Sequence, residues 1–195
     1  MQTTNCAWPG WNARMAKQNI DVMKLVTCTF DDHAGAILAI FNDAILNSTA
    51  LYDYKARTMT DMRAWFDDKA AHHLPIIGLE DESGTLMGFG TYGPFRVRPA
   101  YKYSIEHSIY VDARFRGRGA GRRLLQELIS TAKSQDYHMM IGGIDAANAV
   151  SIALHKSLGF THCGTIKQAG FKFGRWLDLE FYQLLLPTPL APMDD

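Results

Sequence analysis

Glycines at positions 117, 119 and 121, flanked by Arg114, Arg116, Arg118, Arg122 and Arg123, carry the densest chemistry in this chain. Glycines at alternate positions let successive backbone N–H groups converge on one space while a helix begins, with the positive end of its dipole facing the same way. Such a nest binds a diphosphate, and guanidinium groups add charge and paired hydrogen bonds to phosphate oxygens. Other phosphate motifs fit worse. The turn offers Gly121-Arg122-Arg123 where a nucleotide-triphosphate loop ends in Gly-Lys-Ser/Thr, and Arg122 stands where the dinucleotide fingerprint needs its third glycine. Taken alone, the segment has a plain alternative as a solvated arginine-rich loop.

The turn follows a strand-like stretch at residues 103–111 and precedes Leu124, Leu125, Leu128, Ile129 and Ala132, which form one helical face. Upstream, residues 24–29 read as a strand. Asp31 or Asp32 is expected to cap a helix with Ile37, Leu38, Phe41, Ala44 and Ile45 inward, and Thr60 to cap a second helix to about Ala71 with Met62, Trp65 and Phe66 inward. Residues 75–80 and 85–93 form a hairpin. Downstream come a strand at 138–144 and a short helix at 148–157 closed by Leu158-Gly159-Phe160, where Gly159 suits a left-handed C-cap. Two strands follow, at 161–168 and 176–186, joined by a loop at 169–175. Pro187, Pro189 and Pro192 leave residues 188–195 as a tail without fixed structure. Residues 1–22 show neither period and are expected to lie outside a single domain spanning residues 23–187.

Composition narrows the function classes. A chain of 195 residues that is 47% hydrophobic and 21% charged suits one globular domain. Lys+Arg and Asp+Glu both number 20, so no global field draws the protein to nucleic acid or to an anionic membrane. Cys6, Cys28 and Cys163 have no spacing that suggests a disulfide framework or a metal site, which fits a reducing cytoplasm. No run approaches the roughly 20 apolar residues that a membrane helix needs.

From Glu106 to Phe160 the chain resembles the GNAT superfamily of acyl-CoA-dependent N-acyltransferases. Arg116, Gly119 and Gly121 match its Arg/Gln-x-x-Gly-x-Gly/Ala signature after a strand, and Asn148 followed by Leu158-Gly159-Phe160 matches its second hallmark. The closer resemblance is to the phosphinothricin and methionine sulfone (sulfoximine) acetyltransferase group, through Gly93-Pro94-Phe95-Arg96, Tyr101-Lys102-Tyr103, Glu106-His107-Ser108 and the stretch from Gly170 to Asp178. The resemblance implies an α+β fold: a twisted, mostly antiparallel sheet of six to seven strands whose two central strands splay apart, flanked by about four helices. It also implies acetyl-CoA as cosubstrate, a small amine as acceptor, no metal, and a homodimer.

Residue roles follow from the same resemblance. The strand carrying Ile109, Tyr110 and Val111 would pair with the pantetheine arm, and the Val111 N–H would polarise the thioester carbonyl. Gly117, Arg118, Gly119, Ala120, Gly121 and Arg122, with Arg116, would hold the pyrophosphate. Asn148 and Ser157 would make further cofactor contacts. An attacking amine must be neutral, yet an α-amino group of pKa near ~8 is mostly protonated at neutral pH. Glu106 matches the glutamate that relatives use as base, directly or through water. His155, seven residues after Asn148, stands where many members carry a tyrosine acid, and histidine is what the phosphinothricin group has there. His107 cannot share a pocket with Glu106, because adjacent strand residues face opposite ways. Arg96 could clamp a carboxylate, with Phe95 and Tyr101 walling an apolar side chain.

Plainer readings stand beside these. Glu106 could be a surface glutamate, His155 a packed helix histidine, Arg96 a solvated strand-end cation. The same fold could acetylate polyamines, aminoglycosides or protein N-termini, or bind acetyl-CoA without turnover. A nucleic-acid binder would need a wider basic surface with interleaved aromatics.

Overall fold

A computed structural model describes residues 23–194. The extension assigned to residues 1–22, with Cys6, lies outside the described residues, and Asp195 does too. β1 (Lys24–Thr27), β2 (Ile76–Glu80), β3 (Leu86–Pro94), β4 (Ser104–Val111), β5 (Met139–Asp145), β6 (Thr161–Lys172) and β7 (Arg175–Leu185) form one sheet in the order β1-β2-β3-β4-β5-β7-β6. Every neighbouring pair is antiparallel except β4 and β5.

That parallel pair is short. It joins Ser104 to Met139, Ile105 to Met140 and Glu106 to Ile141, although β4 runs on to Val111 and β5 to Asp145. Past Glu106, β4 stays paired with β3 and β5 with β7, so the sheet opens between its two central strands. The expected α+β fold with splayed central strands is the one observed.

α1 (Phe30–Asn47) and α2 (Met59–Ala71) cover one face, where Ile37, Phe41, Met62 and Phe66 pack with Phe89 and Tyr110. α3 (Ala120–Ser134) covers the other, where Leu124, Leu125 and Leu128 pack with Met87 and Ile105. α4 (Ala149–Ser157) follows β5. Residues on β4 alternate between these two cores, as a strand's period of two requires.

Four sequence expectations are corrected. Thr29, not Asp31 or Asp32, caps α1: its hydroxyl accepts from the Asp32 N–H at 3.2 Å, and both aspartates sit in the first turn. The helix starts early because Phe30 packs edge-on against Phe66. Thr58, not Thr60, caps α2, since Asp61 lies three residues on and completes a reciprocal capping box. β6 runs four residues beyond the expected end and β7 starts at Arg175, so the seven-residue loop shrinks to a turn at Phe173 and Gly174, with φ of 51° and 73°. A register irregularity between Ile166 and Gly170 absorbs the polar stretch that obscured the strand, where Asp178 accepts from the Gln168 N–H at 2.8 Å. The expected free tail is instead tied down: the Thr188 hydroxyl donates to the Tyr137 carbonyl at 2.6 Å, and the Met193 N–H donates to the Tyr103 hydroxyl at 3.2 Å.

Candidate active site

Gly117 and Gly119 adopt φ of 77° and 88°, a region that costs any other residue strain. Gly119 is the N-cap of α3 and supplies no side-chain acceptor, so the first N–H groups of a 15-residue helix point outward without a cap. That is the arrangement a pyrophosphate needs. Ala120 opens α3 and is buried, and Gly121 lies against Leu154 of α4. The arginines divide their work. Arg114 is held by Asp112 at 2.7 Å, and Arg116 donates to the Val111 carbonyl at 3.2 Å and lies 3.5 Å from Asp43. Arg118 sits over the Phe115 ring, and Arg122 donates to the Ser157 hydroxyl at 2.8 Å, which links α3 to α4.

Just past β4, the N–H of Asp112 donates to the Met87 carbonyl of β3. Backbone groups of successive strand residues point to alternate sides, so Ile109 and Val111 aim their N–H groups toward the opening and Tyr110 aims its own at β3. The Tyr110 ring is buried against Phe41 and Phe89. Asn148 caps α4 by accepting from the Ser151 N–H at 3.1 Å.

Glu106 lines a cavity of about 160 Å³ on the α1/α2 face, with Phe41, Arg57, Trp65, Lys69, Thr91 and Ser108 among its walls. Gly143 of β5 carries no side chain where a Cβ would come within 3.0 Å of a Glu106 carboxylate oxygen, so the carboxylate reaches the opening. Burial raises the pKa of Glu106, and Arg96 pulls it back down.

His155 lies on the opposite face. It is buried, its Nδ1 is 2.7 Å from the Ser151 carbonyl, and its Nε2 is 3.0 Å from His107 Nε2. A carbonyl only accepts, so the His155 proton sits on Nδ1, and His107 donates from Nε2 to the bare His155 Nε2. Burial lowers the pKa of both rings, that of His107 to about 3. Neither ring nitrogen of His155 presents a proton to the opening in this arrangement.

Arg96 is exposed and stacks its guanidinium 4.2 Å over the Phe95 ring, bonding the Phe95 carbonyl. Phe95 and Tyr101 meet edge to face at 5.9 Å. The three form a cluster beyond the end of β3, outside the walls of the Glu106 cavity. Among the described residues, no group of three or more His, Cys, Asp and Glu side chains could hold a metal ion, and no helix is long and apolar enough to cross a membrane.

The sequence profile described as acetyltransferase (GNAT) family matches residues 39–160, which run from the middle of α1 to just past α4 and include the glycine turn and Glu106. The chain belongs to the GNAT acetyltransferase family. An L-methionine sulfoximine/L-methionine sulfone acetyltransferase of Pseudomonas aeruginosa is 45% identical over 157 residues, 80% of this chain and 91% of that protein. A Salmonella typhimurium acetyltransferase solved with acetyl-CoA superposes with a TM-score of 0.83 at 37% identity, covering 88% of this chain and 98% of that one. A phosphinothricin acetyltransferase of Sinorhizobium meliloti in complex with acetyl-CoA gives a TM-score of 0.83 at 33% identity, covering 87% and 92%. This GNAT chain thus shares its whole described fold with proteins that hold acetyl-CoA, and its uncapped α3 terminus and open β4/β5 cleft fit that cosubstrate.

Sequence reasoning passed over Arg57, Lys69, Thr91 and Ser108 as walls of the Glu106 cavity. A signal was present for three of them. Lys69 falls four residues after Trp65 and seven after Met62, on the buried stripe of α2, and Thr91 and Ser108 are polar residues at inward positions of central strands. Arg57 lies in the connection between α1 and α2, where no periodicity marks it.

Proposed function

We propose that this enzyme transfers the acetyl group of acetyl-CoA to the free amine of a small amino-acid-like acceptor of the methionine sulfone, methionine sulfoximine or phosphinothricin type. The observation that carries the reading is the position of Glu106: a half-buried carboxylate at the point where β4 and β5 part, facing a half-open cavity on one side and the cleft on the other. The α3 terminus holds the pyrophosphate, and the cleft-facing N–H groups of Ile109 and Val111 take the pantetheine and the thioester oxygen. Glu106 receives the proton of the attacking ammonium. The bond to sulfur breaks as the amide bond forms, and the thiol of CoA leaves with a proton.

His155 serves in this scheme as a positioning residue, since its two nitrogens are taken up by Ser151 and His107. It fixes α4, and with it Asn148 and Ser157, beside the cleft. Arg96, Phe95 and Tyr101 border the acceptor's outer end. We also assign a homodimer, because Phe171, Phe173 and Trp176 are 45%, 57% and 58% exposed on one hairpin tip, more apolar ring area than a lone subunit usually shows to water. The reaction is assigned to the cytoplasm, where thiols such as those of Cys28 and Cys163 stay reduced.

Release of CoA thiol from acetyl-CoA, measured with methionine sulfone, methionine sulfoximine, phosphinothricin, spermidine and buffer alone, tests the reading. Turnover confined to the amino-acid analogues is expected. Turnover on spermidine alone, or acetyl-CoA binding with no turnover on any acceptor, would overturn it. Sedimentation of the purified protein tests the dimer.

A further inference from the structure

The walls of the Glu106 cavity include a cation that has no counter-ion among the described residues. Lys69, the eleventh residue of α2, is 9% exposed, and its ammonium donates to the Tyr92 carbonyl at 2.8 Å. Among the described residues it forms no ion pair: its sequence neighbour Asp68 is exposed and pairs with His72 at 3.2 Å. The Trp65 ring lies 6.0 Å away. One carbonyl occupies one of three ammonium protons, and burying a charge without an opposite partner is costly. Its pKa is lowered by that burial. A buried titratable group of this kind that lines a cleft is a functional-site candidate, and a bound anion would supply the missing counter-charge.

Geometry says which anion. Gly93 pairs in register with Glu106, and the Lys69 Nζ lies 3.5 Å from where a Gly93 Cβ would be. The carboxylate of Glu106 and the ammonium of Lys69 therefore flank the same glycine on the same face of the sheet, both lining one cavity of about 160 Å³. An α-amino acid presents an amine and a carboxylate on one carbon, with charges complementary to the Glu106 and Lys69 that line this cavity. Arg57 also lines the cavity but already binds Asp53 at 3.2 Å and lies over Phe41, and Arg96 is outside the cavity altogether.

Resting on the acetyltransferase reading above, we infer that Lys69 binds the α-carboxylate of the acceptor while Glu106 faces its amine, so that Lys69 selects amino acids over simple amines. The competing role, a tie between α2 and the Tyr92 carbonyl of β3, would affect every acceptor alike.

The test compares methionine sulfone with its decarboxylated amine, on the wild-type enzyme, Lys69→Met and Lys69→Arg. Wild type is expected to favour the amino acid by about 10- to 100-fold in kcat/KM, the range for losing one charge-assisted hydrogen bond in a desolvated site. Lys69→Met should erase that preference by losing turnover on the amino acid alone, with the KM for acetyl-CoA unchanged, and Lys69→Arg should recover part of it. Equal losses on both acceptors, or full preference kept in Lys69→Met, would overturn the assignment, the latter pointing to Arg96. A wild type that turns over both acceptors equally would also overturn it, even if the variants fail to fold. A wild type that releases no thiol with either acceptor would sink the acetyltransferase reading itself and take this inference with it.

Discussion

His107 of β4 and His155 of α4 stack with ring centroids 5.0 Å apart and planes at 19°, joined by a 3.0 Å contact between their Nε2 atoms. The proton order that this contact and the Ser151 carbonyl impose leaves His107 Nδ1 as a bare acceptor, buried with no hydrogen-bond partner among the described residues. The pair therefore holds only while both rings are neutral. Protonating either would place a charge in a dry interface, and a proton on His155 Nε2 would also remove the acceptor that the His107 proton needs.

Acid should consequently loosen the fold through this pair. Burial depresses the pKa of both rings, that of His107 to about 3, whereas an unfolded histidine titrates near ~6.5. The unfolded chain binds more protons between those values, so the stabilisation is complete above about pH 6.5 and is lost as pH falls toward the folded value. Melting temperature measured from neutral to mildly acidic pH should fall more steeply for wild type than for His107→Asn, whose amide can still donate to His155. Parallel slopes would mean that other groups govern acid sensitivity.

Glu106 should reveal itself in the pH dependence of turnover. A base must be ionised, so kcat/KM is expected to drop as pH falls through a carboxyl value that burial has raised. Arg96 opposes that rise, so Arg96→Gln removes a favourable charge and should move the acid limb to higher pH. Glu106→Gln should lower kcat by roughly 10²- to 10⁴-fold and abolish that limb. An acid limb that stays in Glu106→Gln would assign the proton transfer to another group.

The glycine turn, the strand before it and the helix after it were readable because local chemistry dictates them: φ near 80° excludes most residues, and Leu124, Leu125 and Leu128 recur on one face. Glu106 and His107 were separable by strand alternation alone, and they do face opposite cores. What escaped was decided at a distance. Whether Thr29 or Asp31 caps α1 depends on Phe30 meeting Phe66, and whether Ala169 lies in a loop or a strand depends on Asp178 across the β6/β7 hairpin. The Glu106 cavity draws its walls from α1, α2, β3 and β4, so only the closed fold assembles it. The ring nitrogens of His155 are engaged by Ser151, an i−4 carbonyl, and by a neighbour 48 residues away, a pairing that no local spacing announces.

The capping box of α2 should matter for the site as well as for the fold. Thr58 accepts from the Asp61 N–H at 3.2 Å while the Asp61 carboxylate accepts from the Thr58 N–H at 2.7 Å, and the helix so anchored carries Trp65 and Lys69. Thr58→Ala should cost about 1 kcal/mol in denaturant unfolding. The KM for the acceptor should rise while that for acetyl-CoA stays the same, because α2 supplies walls to the Glu106 cavity through Trp65 and Lys69 and none of the residues of the glycine turn. A rise in both would show that the loss spreads through the whole domain.

Gly119 gives the sharpest division between cofactor and acceptor sites. A Cβ at this position would meet nothing within 4 Å, so Gly119→Ala creates no clash, and its whole effect comes from holding a non-glycine residue at φ of 88°. That strain is worth about 1 to 2 kcal/mol. Relief comes by rotating the turn, which withdraws the Gly119 and Ala120 N–H groups from the space ahead of α3. The KM for acetyl-CoA should therefore rise by about tenfold or more, with the acceptor KM and the acid limb of Glu106 unmoved. Gly121→Ala is the control with a different cause: its Cβ would sit 3.4 Å from Leu154, so it should disturb the contact between α3 and α4 without altering the φ of the turn. Calorimetry of CoA binding separates the two, since Gly119→Ala should weaken the binding of CoA far more than that of its dephosphorylated pantetheine fragment, which never reaches the turn. Equal weakening of both ligands would place the pyrophosphate elsewhere.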